Sequence, residues 1–296
     1  MKRKWGWLAA AVLLLPGIAS AQLEANLSTY TGENAKGYLD PLNQALGTGL
    51  NAGLFRSAAI PVLGFNLALE VKAVGIRFGD DDKVFRAQTE DGFFPASSVE
   101  APTVIGSEEA VLVAGDNGTA AYFPGGFDLG SLVVPVPQLT IGSVYGTQAV
   151  IRYASVDTED NEIGQIDLWG VGLRHNVSRY FVNPLPVDIA ANFLYQSFTV
   201  GDDLIDASAL TFGLQASRAF SVVEPYLGIS FDRHDMSVSY ESDATNPPTE
   251  LDVDFDPDTH PRLTAGLGLN FVYVHLNGEI NVSDQTSYLV GLSLGN

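Results

Sequence analysis

The chain has 296 residues, a formal net charge of -20, 46% hydrophobic residues and no cysteine. That apolar fraction excludes a disordered acidic chain, and the missing cysteine excludes both a disulfide scaffold and a lipid anchor on a cysteine. Acidity without a basic patch argues against nucleic acid as a partner, and no cofactor is implied.

In chain order, residues 1–21 read as an export signal. Lys2, Arg3 and Lys4 precede an apolar run from Leu8 to Leu15, Pro16 and Gly17 break it, and Ala19-Ser20-Ala21 is a small-residue cleavage pattern. The run is far shorter than the ~20 residues a spanning helix needs, so removal after Ala21 is expected. Residues 22–60 form a helical plug or cap segment. There Tyr38, Leu42, Leu46, Leu50 and Leu54 recur at every fourth position as one apolar stripe. Gly37, Gly47, Gly49, Gly53 and Pro41 predict a short or broken helix that leans on tertiary contacts. It could pack against the domain as a cap or sit in a barrel mouth as a plug.

After Pro61 the period becomes two. Phe65, Leu67, Leu69 and Val71 oppose Asn66, Glu70 and Lys72, and then Val74, Ile76 and Phe78 reverse the parity, which predicts a bulge near Gly75. Residues 79–135 read as a long acidic outer loop with room for two to four short strands. Lys83–Ala87, Ala110–Ala114 and Thr119–Phe123 are the candidates, with "GDNG" at 115–118 as the turn between the last two. In "QLTIGSVYGTQAVIRYASV", residues 138–156, two alternating segments flank a Val-Tyr-Gly turn, and Arg152 opposes Ile151 and Tyr153. Residues 164–177 read as a strand whose parity the pattern leaves open. From Pro186 onward the alternation is clean: Ile189 and Phe193 against Asp188 and Asn192, Leu263 and Leu267 against Arg262 and Thr264, and Leu276 and Ile280 against His275 and Glu279. A second long acidic loop is expected over 241–260.

Connections on one side are long and acidic, and those on the other are short, as in bacterial outer-membrane barrels. The apolar faces carry no charge, whereas the opposite faces mix both signs among Gly, Asn and Gln. A closed barrel with its oily face in lipid satisfies both facts and leaves no unpaired edge in hydrocarbon. The expected fold is therefore all-β: residues 61–296 form an antiparallel transmembrane β-barrel of about 10–14 strands, preceded by the short helix. A soluble lipocalin-like barrel or sandwich is the alternative. The residues expected to line the lumen are Glu70, Lys72, Arg152, Asp188, Arg262, His275 and Glu279.

Groups able to do chemistry are few. His175 and His260 fit turn or cap positions. His275, Glu279 and Ser283 share an expected inward face, as a hydrolase site would require, but Ser283 lies too far along the strand to reach His275. A hydrogen-bonded lumen network is the plainer reading, and an enzyme is not expected. Asp252, Asp254 and Asp256 alternate in "LDVDFDPDTH", a weak calcium candidate that lacks the glycine and terminal glutamate of an EF-hand loop. A solvated acidic loop, bridged to lipopolysaccharide by divalent ions, is the simpler expectation.

The pieces "YLDPLNQALGTGLNAGLF", "APTVIG", "VPQLTIG", "TQAVIRY" and "GVGLRHNVSRYFVNPLPVDIA" and the Gly-alternating C-terminus together resemble a family of bacterial outer-membrane barrel proteins of unassigned function. More distantly they resemble fatty-acid transporter-like barrels that carry an N-terminal hatch. The resemblance covers most of residues 36–294 and implies fold and an outer-membrane location, with outer-membrane lipid, lipopolysaccharide and the barrel-assembly machinery as partners. It implies no activity. One departure is the end Leu294-Gly295-Asn296, where such barrels usually carry an aromatic residue. The expected function is a narrow or gated channel for a small solute, hydrophobic ones included. A structural or surface-presenting barrel is the alternative, and a lipid-modifying enzyme comes last.

Overall fold

The alternation read from the sequence closes into a cylinder. A computed structural model describes residues 20–30, 32–157, 164–201, 204–242 and 249–295. Two helices come first, α1 (Ser20–Leu27) and α2 (Gly32–Asn51), followed by β1 (Leu63–Arg77). Four short strands follow: β2 (Val84–Gln88), β3 (Ser98–Pro102), β4 (Val111–Ala114) and β5 (Ala120–Phe123). Then come β6 (Ser131–Val144), β7 (Thr147–Asp157), β8 (Gln165–Asn176), β9 (Asp188–Val200) and β10 (Ile205–Ser217). The last four are β11 (Val223–Ser242), β12 (Thr249–Asn270), β13 (Val274–Val282) and β14 (Thr286–Gly295). β1 and β6–β14 form a closed barrel of ten antiparallel strands in which β1 pairs with both β6 and β14.

The outward rows are apolar and bare: Phe65 is 81% exposed and Leu227 65%, and the rings of Trp169 and Tyr195 touch on that face. In a soluble barrel these residues would face water, so lipid is the solvent this surface suits. Short hairpins close most of one end, which we call the turn end; the β8–β9 connection there is longer and holds a 3-10 turn at Ser178–Tyr180. Between β6 and β7, Tyr145 and Gly146 take positive φ (52° and 72°), as a two-residue hairpin turn requires. The other, loop end carries two separate hairpins, β2–β3 and β4–β5, and the extended β11–β12 hairpin.

Several expectations are corrected here. There is no bulge at Gly75, because β1 alternates through it in unbroken register with β6 and β14; the shift lies between Gly64 and Leu67. Val74 and Ile76 simply point inward and are buried. Residues 79–135 hold four short strands, within the two to four expected and with the three candidates among them, but these stand outside the barrel and β6 already begins at Ser131. β3 escaped notice because it is short and ends in Pro102. Residues 241–260 are largely β-ladder, with Glu241 opposite Glu250 and Val253 buried opposite Val238. Residues 1–19 of the expected signal segment 1–21 lie outside the described residues, as do the connections 158–163, 202–203 and 243–248, whereas Ser20 and Ala21 fall in α1.

The helix is neither short nor broken: α2 runs 20 residues straight through Pro41 and ends before Leu54. Isolated, it would suffer from its proline and glycines. Here it is buried on nearly every side, against β1, β6, β10, β11 and β12 of the barrel and against β2.

Candidate functional site: a plugged lumen with an open seam

The chain enters the barrel at the loop end. Tyr240 donates its hydroxyl to the Tyr30 carbonyl (2.9 Å), and Tyr38 donates to Gly125 O (3.1 Å). α2 then descends into the lumen, where Leu42, Leu46 and Leu50 join a core with the inward residues Ile76, Leu132, Ile166, Leu168, Phe198 and Val238. The loop-end half of the inner wall is thus apolar because it faces a helix. Close approach demands small residues on that helix. A Cβ at Gly47 would lie 2.4 Å from His234 Cγ, and one at Gly49 would lie 2.8 Å from Val134 Cγ2.

Below the helix the wall turns polar, and its cations meet the helix C-terminus. Arg152 donates to the carbonyls of Leu50 and Ala52 (2.8 Å each), and its Nε donates to Gln138 Oε1 (3.0 Å). Lys72 donates to Gly53 O (2.5 Å), and Gln196 Nε2 donates to Leu50 O. The last carbonyls of a helix have no partners of their own and carry partial negative charge, so these donors answer both needs. Glu70 balances the cations, with Lys72 Nζ at 3.1 Å, Arg56 at 3.4 Å and a hydrogen bond from Thr140 (2.6 Å). Buried charges persist only when paired in this way. Arg262 pairs with Asp232 (2.9 Å), and Tyr226 donates to Glu279 (3.0 Å).

From Ala52 the chain continues extended to the turn end. Gln215 bonds both N and O of Arg56, Ala58 N donates to Ser217 Oγ (2.8 Å), and Arg174 donates to Ser57 O (2.6 Å). The segment is therefore held along its length and leads into β1 beside the β6–β7 turn, where Gly146 N donates to Val62 O.

Of the residues read from the sequence, Glu70, Lys72, Arg152, Arg262 and Glu279 are buried on inward rows and form this polar half. Asp188 lies on the same inward parity but half-buried at the turn-end rim, opposite Ser217. His275 sits at that rim and bonds Asn270 Oδ1 (3.1 Å). Ser283, at the opposite end of the barrel, donates to Pro261 O (3.1 Å), and Glu279 bonds Tyr226, so His275, Glu279 and Ser283 do not converge. Tyr38, Leu42, Leu46 and Leu50 are buried along α2, and Leu54 packs beyond its end with Phe55 and Tyr226. Asp252, Asp254 and Asp256 stand exposed on β12 rather than in a loop, roughly 7 Å apart at alternate positions. Among the described residues no three potential ligands gather around one point. His175 bonds Thr147 and Tyr180, and His260 meets Asp284. Sequence reasoning missed Arg174, because the parity of β8 was open, and Arg56, which stands in a segment without a period. A lone arginine in "GLFRSAAI" was the available signal for Arg56.

One feature of the wall breaks the rule that a barrel leaves no edge. β6 and β7 pair from the turn end only up to Gln138 opposite Arg152. Beyond that level β6 is paired only with β1, as far as Ser131, and β7 only with β8, as far as Asp157. Pro135 and Pro137 stand in the unpaired part of β6. Prolines two apart point their donor-less nitrogens to the same side, so this stretch cannot complete a ladder there. Behind the seam lies a narrow apolar cavity of about 30 Å³. It is lined from inside by Leu46 and Leu50 of α2 and by Ile166, Leu168 and Phe198 of the wall, and from the lipid side by Val133 and Pro135. Its lining therefore includes inward residues as well as the outward Val133 and Pro135, which places it at the gap between β6 and β7.

Residues 1–296 match the family described as DUF6588, a family of unknown function. The chain belongs to that family. No curated protein matches the sequence. In fold, this DUF6588 barrel is similar to an OmpT of Vibrio cholerae lacking loop L8 (7% identity, 80% of this chain and 100% of that one, TM-score 0.28). It is also similar to the outer membrane protease OmpT of Escherichia coli (10% identity, 80% and 100%, TM-score 0.30). A third is the translocator domain of the autotransporter NalP of Neisseria meningitidis (9% identity, 89% and 96%, TM-score 0.30). Scores at this level carry no residue of the site across.

Proposed function

We propose that the protein is an outer-membrane barrel that lets a small apolar solute pass sideways through the β6–β7 seam when α2 shifts. In this reading residues 1–21 direct export, the barrel-assembly machinery inserts the chain, and lipid and lipopolysaccharide surround it. The observation that carries the reading is the apolar cavity beside the unpaired stretch of β6 and β7. An unpaired strand edge in hydrocarbon is costly, and here it coincides with two prolines and an apolar cavity whose inner wall is the plug. At about 30 Å³ the cavity has room for little more than water at rest, so transit requires Leu46 and Leu50 to move. The mixed polar layer beneath would detain an apolar solute poorly, which favours the lateral exit over a straight pore.

Replacing Pro135 and Pro137 together by valine restores two N–H donors and allows the ladder to close. Each new bond contributes about 0.5–1.5 kcal/mol, so the variant should unfold at higher temperature. Uptake of a fluorescent apolar solute into proteoliposomes should fall to that of protein-free vesicles. Uptake equal to wild type in a stabilised variant would contradict the seam as the exit, and wild-type uptake no higher than that of protein-free vesicles would favour the second reading, a non-transporting barrel that stiffens the envelope. A specific observation supports that alternative too: α2 and the segment after it occupy the lumen, and Arg56, Glu70, Lys72, Asp232 and Arg262 are held in ion pairs.

A further inference from the structure

Hydrogen bonds and packing fix the two ends of the N-terminal segment on opposite sides of the barrel. At the loop end, α1 buries Leu23 and Leu27 and leaves Gln22 and Ala25 exposed. Asn26 Nδ2 donates to Gly125 O (3.0 Å), and the Tyr30 ring meets those of Phe85 and Phe123, with centroids 6.1 and 6.3 Å away. In the first turn of α2, Asn34 exchanges two hydrogen bonds with the backbone of Gln88 at the end of β2 (2.8 and 2.9 Å). At the turn end, Asn176 Nδ2 donates to Ile60 O (3.4 Å), and β1 begins at Leu63. The 20 residues of α2 alone span about 30 Å, as much as the hydrocarbon core of a bilayer. The chain therefore runs the depth of the barrel before its first wall strand starts, and β1 climbs back toward the loop end.

That direction has a consequence, because the two ends of an outer-membrane barrel are not equivalent. Short turns stay on the inner side and long connections lie outside, and an export signal is lost before the barrel is inserted. A free end that starts on the inner side and finishes at the loop end has crossed the membrane through the lumen. The sequence suits such a passage. Within residues 22–55 only Glu24, Glu33, Lys36 and Asp40 are charged, so little charge has to be stripped of water on the way. Pro41, Gly37, Gly47 and Gly49 make α2 a poor helix in water, which keeps the segment narrow and extended until the wall packs it.

We propose that the barrel carries its own N-terminal segment through the lumen and holds it on the outer face, so that the mature chain begins outside the cell. This rests on the outer-membrane reading above, with the loop end outward. The contacts of Asn26, Tyr30 and Asn34 with the loop-end hairpins are then the catch that keeps the threaded end from sliding back.

The chain has no cysteine, so single cysteines report sidedness. Ala25→Cys on α1, Asn117→Cys in the β4–β5 turn and Val182→Cys in the β8–β9 connection each place one thiol at an exposed position. Intact cells carrying the full chain are treated with a polyethylene-glycol maleimide too bulky for porins, before and after the outer membrane is breached, and labelling is read as a gel shift. Ala25→Cys should label on intact cells to the same extent as Asn117→Cys, and Val182→Cys only after the breach. Should the thiol at Ala25 react only in denatured protein, an epitope placed directly before Gln22 takes its place, with antibody binding to intact cells expected. Reaction of the N-terminal probe only after the breach, while Asn117→Cys reacts on intact cells, overturns the proposal and leaves the outer-membrane reading standing. An Asn117→Cys that is itself unreactive on intact cells removes the outward loop end, and the proposal falls with it.

Discussion

Replacing Arg152 by methionine lowers the stability of the folded barrel by about 3–5 kcal/mol, the range found when one member of a buried charged network is removed. Arg152 is fully buried and donates to two backbone carbonyls of the plug and to the side chains of Gln138 and Gln196. Methionine keeps much of the volume and none of the donors, so these acceptors lose their partner together. Glu70 also loses a nearby cation, although Lys72 and Arg56 remain. The loss should show as a lower urea midpoint in detergent and as faster amide exchange in the last turns of α2. Arg152→Lys should recover only part, because an ammonium cannot span both the Leu50 and Ala52 carbonyls as the planar guanidinium does. A midpoint unchanged in Arg152→Met would mean that the clamp contributes nothing to holding the plug.

Removing residues 22–51 should turn a barrel that is silent in planar bilayers into one that conducts in discrete steps. In the intact chain α2 occupies the loop-end half of the lumen, and the extended segment after it is bonded to the wall down to Ser217. A ten-stranded cylinder is only slightly wider than the eight-stranded barrels whose interiors side chains fill. The steps should therefore be small, with Arg56, Glu70, Lys72 and Arg152 now hydrated and lining the pore. The ladders do not depend on α2, so the truncated chain should still shift in gel mobility on boiling. A folded but silent deletion variant would show that the wall residues close the lumen without the helix.

Much of this was legible in the sequence, for a physical reason. Period-two alternation reports a boundary between two solvents, and at the middle of the barrel those solvents are lipid and a polar lumen. Glu70, Lys72, Arg152, Arg262 and Glu279 all stand at that level, where the contrast is sharpest. Toward the loop end the inner solvent becomes another apolar surface, that of α2, and the contrast vanishes. This is why Val74 and Ile76 looked like a bulge and why β8 could not be oriented: Ile166 and Leu168 face the helix while Trp169 and Val171 face lipid. The acidic β11–β12 extension read as a loop because its aspartates outnumber the apolar residues that fix its inner face, Val253 among them. The helix read as broken because its propensity is poor, and only burial inside the barrel corrects that. The seam could not be read at all. Pro135 and Pro137 signalled a missing ladder, but which neighbour was lost depends on pairing across the whole sheet.

The claim that α2 is a movable plug is open to one direct measurement. The chain has no cysteine, so an engineered pair is unambiguous. A Cβ at Gly47 would lie 2.4 Å from His234 Cγ, which puts the two Cβ positions within about 4 Å, inside disulfide range. Gly47→Cys with His234→Cys should form a bond that fixes the helix to β11. Uptake of an apolar fluorophore into proteoliposomes should be absent in the oxidised protein and return on reduction. Equal uptake by the oxidised and reduced forms would contradict a plug that has to move.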